Sequence, residues 1–110
     1  MEIKERFLPI GTVCLLKGGN KKVMILSYLI FSTGKEEEKE LYDYGACQFP
    51  EGVLDSKTGI GFNHTDIEEV IFMGNEEDKD YQELNKSLQR LADDLKAEFK
   101  KSQEKKETEE

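Results

Sequence analysis

From Lys22 to Phe31 the chain reads KVMILSYLIF, and after the lysine only Ser27 is plainly polar. Successive side chains of a strand point to opposite faces. One face here would carry Met24, Leu26, Tyr28 and Ile30, and the other Val23, Ile25, Leu29 and Phe31. A strand apolar on both faces needs cover on both. Upstream lies a second apolar run, Val13 to Leu16, separated from the first by Lys17-Gly18-Gly19-Asn20-Lys21. Glycine supplies the positive φ of a tight turn and Asn tolerates it. The stretch Pro9–Phe31 is therefore expected to form a β-hairpin, with strands near Thr12–Lys17 and Lys22–Phe31.

The rest of the chain divides by period. Phe7 and Leu8 are expected to tuck against the hairpin, and Pro9-Ile10-Gly11 to turn into it. Ser32–Glu40, STGKEEEKE, has no apolar periodicity and reads as a solvated loop. Leu41–Phe49 reads as a third strand with Tyr42, Tyr44 and Ala46 on one face, and Gly45 in its middle suggests a bulge or a close backbone approach. Pro50-Glu51-Gly52 ends it. Val53–Phe62 is punctuated by glycine and leaves room for a short edge strand at Gly59–Phe62. Asn63, with Asp66 three residues on, suits the cap of a single helical turn. Ile67–Met73 is the last strand expected, with Val70 and Phe72 opposite Ile71 and Met73.

From about Asp78 the period becomes helical. Tyr81, Leu84, Leu88, Leu91, Leu95 and Phe99 recur at spacings of 3, 4, 3, 4 and 4, with Ala92 widening the stripe. After Lys101 no apolar residue remains. The expected fold class is α+β: a small, mostly antiparallel sheet or partly closed barrel of four to five strands, followed by one long C-terminal amphipathic helix. The expected division is a β domain at 1–76, the helix at 77–101 and a disordered charged tail at 102–110.

The 110 residues suffice for one core. With 24 acidic against 16 basic residues the net charge is −8, which disfavours nucleic acid and anionic membranes as partners. No apolar run is long enough to span a bilayer. Glu2, Lys4, Glu5 and Arg6 stand where a signal peptide would be apolar, so a cytoplasmic protein is expected. Cys14 and Cys47 then read as buried thiols.

No catalytic constellation is legible, and the expectation is a protein that is not an enzyme and has no cofactor. His64, the only histidine, reads as a surface or capping residue beside Asn63 and Asp66. One His and two separated Cys do not make a metal ligand set. Lys17–Lys22 lacks the spacing of a phosphate loop and reads as a basic hairpin tip. Glu68 and Glu69 are adjacent on a strand and would point apart.

The blocks PIGTVCLLKGG, KKVMI, YDYGACQFPEG and GFNHTDIEEVIFMG, in that order from Leu8 to Gly74, resemble a family of small bacterial proteins of unknown biochemical function. Their genes sit in the type VII secretion clusters of Gram-positive bacteria, beside LXG polymorphic toxins. Ala46-Cys47 before the Pro-Glu-Gly turn departs from the pattern of that family. The resemblance implies a cytoplasmic accessory protein, a chaperone or adaptor whose partner is a cognate secreted toxin. The alternative is an immunity protein, whose acidic surface would complement a basic, nucleic-acid-cleaving toxin domain. The resemblance brings no active-site residues.

Two groups of residues are candidates for contact with a partner. Tyr42, Tyr44 and Phe49, with the Pro50–Gly52 turn, are either core or a recognition surface. On the helix, Tyr81 to Leu88 is expected to pack on the sheet. Leu91, Leu95 and Phe99 are expected to extend toward a partner or a second copy, because charge rises past Asp93.

Overall fold

The computed structural model describes residues 6–31, 41–53 and 59–108, with only the backbone at 31 and 102–108. The sequence readings for 1–5, 32–40, 54–58 and 109–110 lie outside the described residues. The strands are β1 (Val13–Leu16), β2 (Lys22–Phe31), β3 (Leu41–Gln48), β4 (Ile60–Phe62) and β5 (Ile67–Phe72), followed by the helix α1 (Lys79–Thr108). They form one antiparallel sheet in the order β4-β3-β2-β1-β5. The hairpin is as expected, but only Gly18 of its tip takes a positive φ, 77°.

The connection from β4 to β5 shapes the sheet. These strands occupy opposite ends of the order, yet only residues 63–66 join them. In a flat sheet the outermost of five strands are about 19 Å apart. Five Cα steps reach about 18 Å when fully extended, and His64–Asp66 is a compact 3₁₀ turn. The sheet must therefore curl, although β4 and β5 do not pair and it stays open. The β1–β5 ladder runs on into the turn, where the Asp66 carbonyl accepts from Lys17 N–H at 2.8 Å.

Curling is accompanied by irregularities that redistribute side chains. The β2–β3 register shifts between Ile25 and Ser27. Tyr28 thereby joins Val23 and Ile25 on the core side, rather than Met24 as strict alternation requires. Leu29, at φ 52°, also packs on this core. The β1–β5 register shifts twice, and the residues of the last strand region that reach the core are Ile67, Val70 and Met73. Phe72, expected to accompany Val70, is 62% exposed. Of the two readings of Gly45, a bulge or a close approach, the structure shows the close approach, and the bulge lies in β2. Gly45 pairs with Ser27, and a Cβ there would collide with the Ser27 hydroxyl and the Ile30 side chain. Gly61 lies under the Tyr42 ring, which a Cβ would approach to 2.6 Å.

One face of the sheet holds the core: Phe7, Leu8, Cys14, Val23, Ile25, Tyr44, Ala46, Phe62, Ile67 and Val70, closed by Leu88 and Ala92 of α1. The other carries Phe72, Val13, Met24 and Cys47 in register across four strands. Cys14 and Cys47 therefore stand on opposite faces as free thiols, and burial pushes the Cys14 thiol up to about 11.

The helix departs from expectation in two ways. Its backbone continues to Thr108, past the boundary expected at Lys101, because KSQEKKET contains good helix formers and neither Gly nor Pro. The division between core and exterior runs along its length rather than between its halves. Leu88 and Ala92 are buried, and Tyr81, Leu95 and Phe99 half-buried, whereas Leu84 and Leu91 are 47% and 49% exposed. At about 100° per residue, Tyr81, Leu88, Ala92 and Phe99 centre on one line, and Leu84 and Leu91 lie to one side of it.

Leu88→Ala should therefore destabilise the protein by about 2–5 kcal/mol. Leu84→Ala should change stability by no more than about 0.5 kcal/mol, as at other exposed positions. Urea unfolding of both variants decides this; a loss at Leu84 equal to that at Leu88 would contradict the placement of the helix.

Candidate functional site

The densest polar assembly in the core surrounds the lead-in segment. Phe7 and Leu8 belong to no strand or helix, yet both are buried. Buried peptide groups need partners, and tyrosines supply them. Tyr44 Oη accepts from the N–H groups of Phe7, at 2.9 Å, and Leu8, at 3.1 Å. Tyr81 Oη donates to the Phe7 carbonyl at 2.6 Å, and Tyr28 Oη donates to the Leu8 carbonyl at 2.7 Å. Phe7, at φ 67°, is held in the left-handed region that a bulky side chain rarely adopts. Its ring meets Tyr28 edge-on at 5.7 Å and Tyr44 at 5.9 Å.

Tyr44 continues the network. With its oxygen accepting two N–H groups, its own proton goes to His64 Nδ1, 2.8 Å away. That geometry calls for a neutral imidazole with its proton on Nε2. The His64 Nε2 is buried and has no hydrogen-bond partner among the described residues. The His64 N–H donates to Asp43 Oδ2 at 2.9 Å, Asn63 Oδ1 accepts from the Asp43 N–H at 3.1 Å, and Asp66 Oδ2 accepts from the Asn63 N–H at 2.8 Å. The other Asp43 oxygen meets Lys96 Nζ of α1 at 2.6 Å. Arg6, on the lead-in, pairs with Asp93 at 2.8 Å. The helix is thus tied to the lead-in by Tyr81 and Asp93, and to β3 by Lys96.

Burial raises the Tyr44 phenol well above its ordinary value, with the N–H donors of Leu8 and Phe7 acting against it. It raises Tyr28 to about 12, assisted by Tyr81. Desolvation lowers His64 below its ordinary 6.5; Asp43 opposes this and Arg6 reinforces it.

These positions revise the candidate partner contacts. Tyr44 is fully buried and belongs to the core, the first of its two possible placements. Tyr42 is half-buried over Gly61. Phe49 is half-buried beneath the Lys22 ammonium, 5.5 Å from the ring centre, at a cis Phe49–Pro50 bond. The hairpin tip joins the following turn through a Lys21–Glu51 ion pair, and that contact lowers the Glu51 carboxyl. Leu95 and Phe99 lie partly under cover, and only Leu91 of the three helix candidates is openly exposed. His64, read as a capping or surface residue, instead turns its ring toward Tyr44. The contact that turns it inward comes from β3, 20 positions away in sequence, so no local signal marks it. Among the described residues no group of three His, Cys, Asp or Glu side chains is arranged to hold a metal ion. No helix among them is long and apolar enough to cross a membrane.

A protein family described as a domain of unknown function (DUF4176) matches residues 7–83. The chain belongs to the DUF4176 family. No curated protein and no solved structure matches it significantly. The DUF4176 match opens on Phe7 and closes two residues after Tyr81, so the whole tyrosine clamp lies inside it. Leu88, Leu91, Ala92 and Lys96 lie outside.

Tyr44→Phe leaves two buried N–H groups without an acceptor and should cost at least about 1–3 kcal/mol. Tyr28→Phe frees one carbonyl and should cost less, about 0.5–1.5 kcal/mol. Denaturant unfolding tests the order; equal losses would show that Tyr44 does not carry the clamp.

A pH dependence follows from His64. Between its lowered folded value and 6.5, the unfolded chain binds a proton that the folded chain excludes. Stability should therefore fall as pH drops below about 6.5. In His64→Asn the Oδ1 can take the place of Nδ1. The stability difference between wild type and this variant should shift against the wild type on acidification from pH 7.5 to 5. A difference that is flat with pH would remove His64 from the account.

Proposed function

We propose that this protein is a non-enzymatic, protein-binding accessory factor, a chaperone or adaptor for a secreted LXG-type toxin of a type VII secretion system. The observation that carries the binding role is the division of α1: Leu88 and Ala92 fill the core, while Leu84 and Leu91 stand exposed one heptad apart. An exposed leucine pair at coiled-coil spacing suits a helical partner. The polar side chains of the core and its margin favour a non-catalytic reading, because the buried Tyr44 and Asp43 and the half-buried Lys96 are engaged in holding the lead-in, the 3₁₀ turn and the helix together. The toxin and the secretion system enter through the resemblance of the blocks from Leu8 to Gly74. An immunity role is the second reading, favoured by the net charge of −8, which would complement a basic toxin domain.

The test is a pull-down of the toxin encoded beside this gene, divided into its N-terminal region and its toxin domain, together with growth during toxin expression. Capture of the N-terminal region without rescue of growth supports the chaperone or adaptor. Capture of the toxin domain with rescue supports immunity, and capture of neither part overturns both.

A further inference from the structure

We infer that the solvent-facing edge of α1 between Asp80 and Glu98 is a docking strip for one cationic amphipathic helix. This names the chemistry of the partner and rests on the reading of the domain as a protein-binding module. Leu84 and Leu91, seven residues apart, lie about 20° from each other around the helix axis, and both are roughly half exposed. On their core side run Leu88 and Leu95. On their solvent side run Asp80, Ser87, Asp94 and Glu98, all exposed, at offsets of three, four or seven residues from a leucine. This strip carries no Lys or Arg from Asp80 to Glu98. None of its three carboxylates is paired with a cation among the described residues; the ion pairs of α1 are made by Glu83, Lys86, Asp93 and Lys96.

The surface is thus two exposed leucines at heptad spacing, bounded by the sheet on one side and by an acidic line on the other. A helix with apolar residues at i and i+7 and with Lys or Arg along one flank satisfies both features. A second copy of the chain fits poorly. In an antiparallel helix pair like flanks meet, and Asp80, Asp94 and Glu98 would face their own equivalents, a repulsive arrangement. The network around Phe7 fixes the rotation of α1, so the strip is in place before a partner arrives. Leu84 and Leu91 contribute little to the core, and the strip can therefore be altered without unfolding the protein.

The experiment titrates the full chain with a synthetic 18-residue helix carrying Leu at heptad a and d positions and Lys on one flank. Two further peptides serve as comparison, one with Glu in place of Lys and one with the same composition scrambled. Backbone amide NMR locates the contact, and sedimentation measures self-association. The cationic helix should bind and shift the amides around Leu84–Leu91. Leu84→Ser with Leu91→Ser should weaken binding by about tenfold or more while leaving the melting temperature nearly unchanged. Asp80→Asn, Asp94→Asn and Glu98→Gln together should weaken it and flatten its salt dependence. Equal binding of the scrambled peptide, unchanged binding by the leucine variant, or a dimer that the leucine variant disrupts would each overturn the strip. The same variants are then used in the toxin pull-down. A toxin captured equally well by both variants would remove the strip and leave the binding module standing.

Discussion

The interior of this protein depends on satisfying one irregular stretch of backbone. Phe7 and Leu8 enter the core outside any strand or helix, so no ladder can bond their peptide groups. An unpaired buried amide costs about 1–3 kcal/mol, and the clamp supplies partners for four such groups at once. The donors and acceptors come from β2, β3 and α1, through Tyr28, Tyr44 and Tyr81. The same contacts hold Phe7 at its positive φ, a conformation that persists only where its surroundings over-determine it. The hydroxyl of Tyr44 also sets the tautomer of His64, which places the 3₁₀ turn whose short span makes the sheet curl. The lead-in, the 3₁₀ turn and the helix are therefore joined by one connected set of polar contacts.

Most of the elements were legible because each is punctuated locally. The hairpin, the strands ending at Gln48 and Phe72, the short edge strand and the Asn63–Asp66 box all follow from nearest-neighbour signals. The helix followed from a stripe long enough to be unambiguous. The assignment of faces was not legible. One bulge near Leu26 moves Tyr28 to the opposite side of the strand, and two register shifts between β1 and β5 leave Ile67, Val70 and Met73 as the residues facing inward. A sheet that must curl needs such irregularities, but the need comes from the four-residue link between its edges. That link is a property of the topology and leaves no periodic trace in the sequence. Tyr44 illustrates the same gap: its aromatic character marks it equally as an anchor for a partner or as core, and only the position of Phe7 separates the two.

Leu84, expected to pack on the sheet, was misplaced for a related reason. The stripe from Tyr81 to Phe99 treats Leu84 and Leu91 as equal to Leu88, whereas a straight helix turns by 3.6 residues and carries those two leucines to one side of the packing line. The line that packs on the sheet uses Tyr81, Ala92 and Phe99 with Leu88, mixing large and small side chains to fit a curved surface. Alanine is the closest-packed member of that line, and a search for the largest hydrophobic residues gives it the least weight. Once Ala92 is recognised as core, Leu84 and Leu91 fall outside by geometry.

That division separates the packed side of α1 from its exposed leucine edge. The DUF4176 match includes Tyr81 and stops at residue 83, before the first exposed leucine of α1. The part of α1 that bonds Phe7 therefore belongs to the family domain, and the leucine edge is carried on its extension. Tyr81, Asp93 and Lys96 attach that extension to the lead-in and to Asp43, one contact near the start of the helix and two well along it. Attachment at separated points sets the rotation of the helix about its own axis, which a single contact would leave free. A partner meeting Leu84 and Leu91 would then find them already presented, and association would not bear the cost of ordering a helix. The clamp that satisfies two buried peptide units thus also determines which face of α1 remains available to another protein.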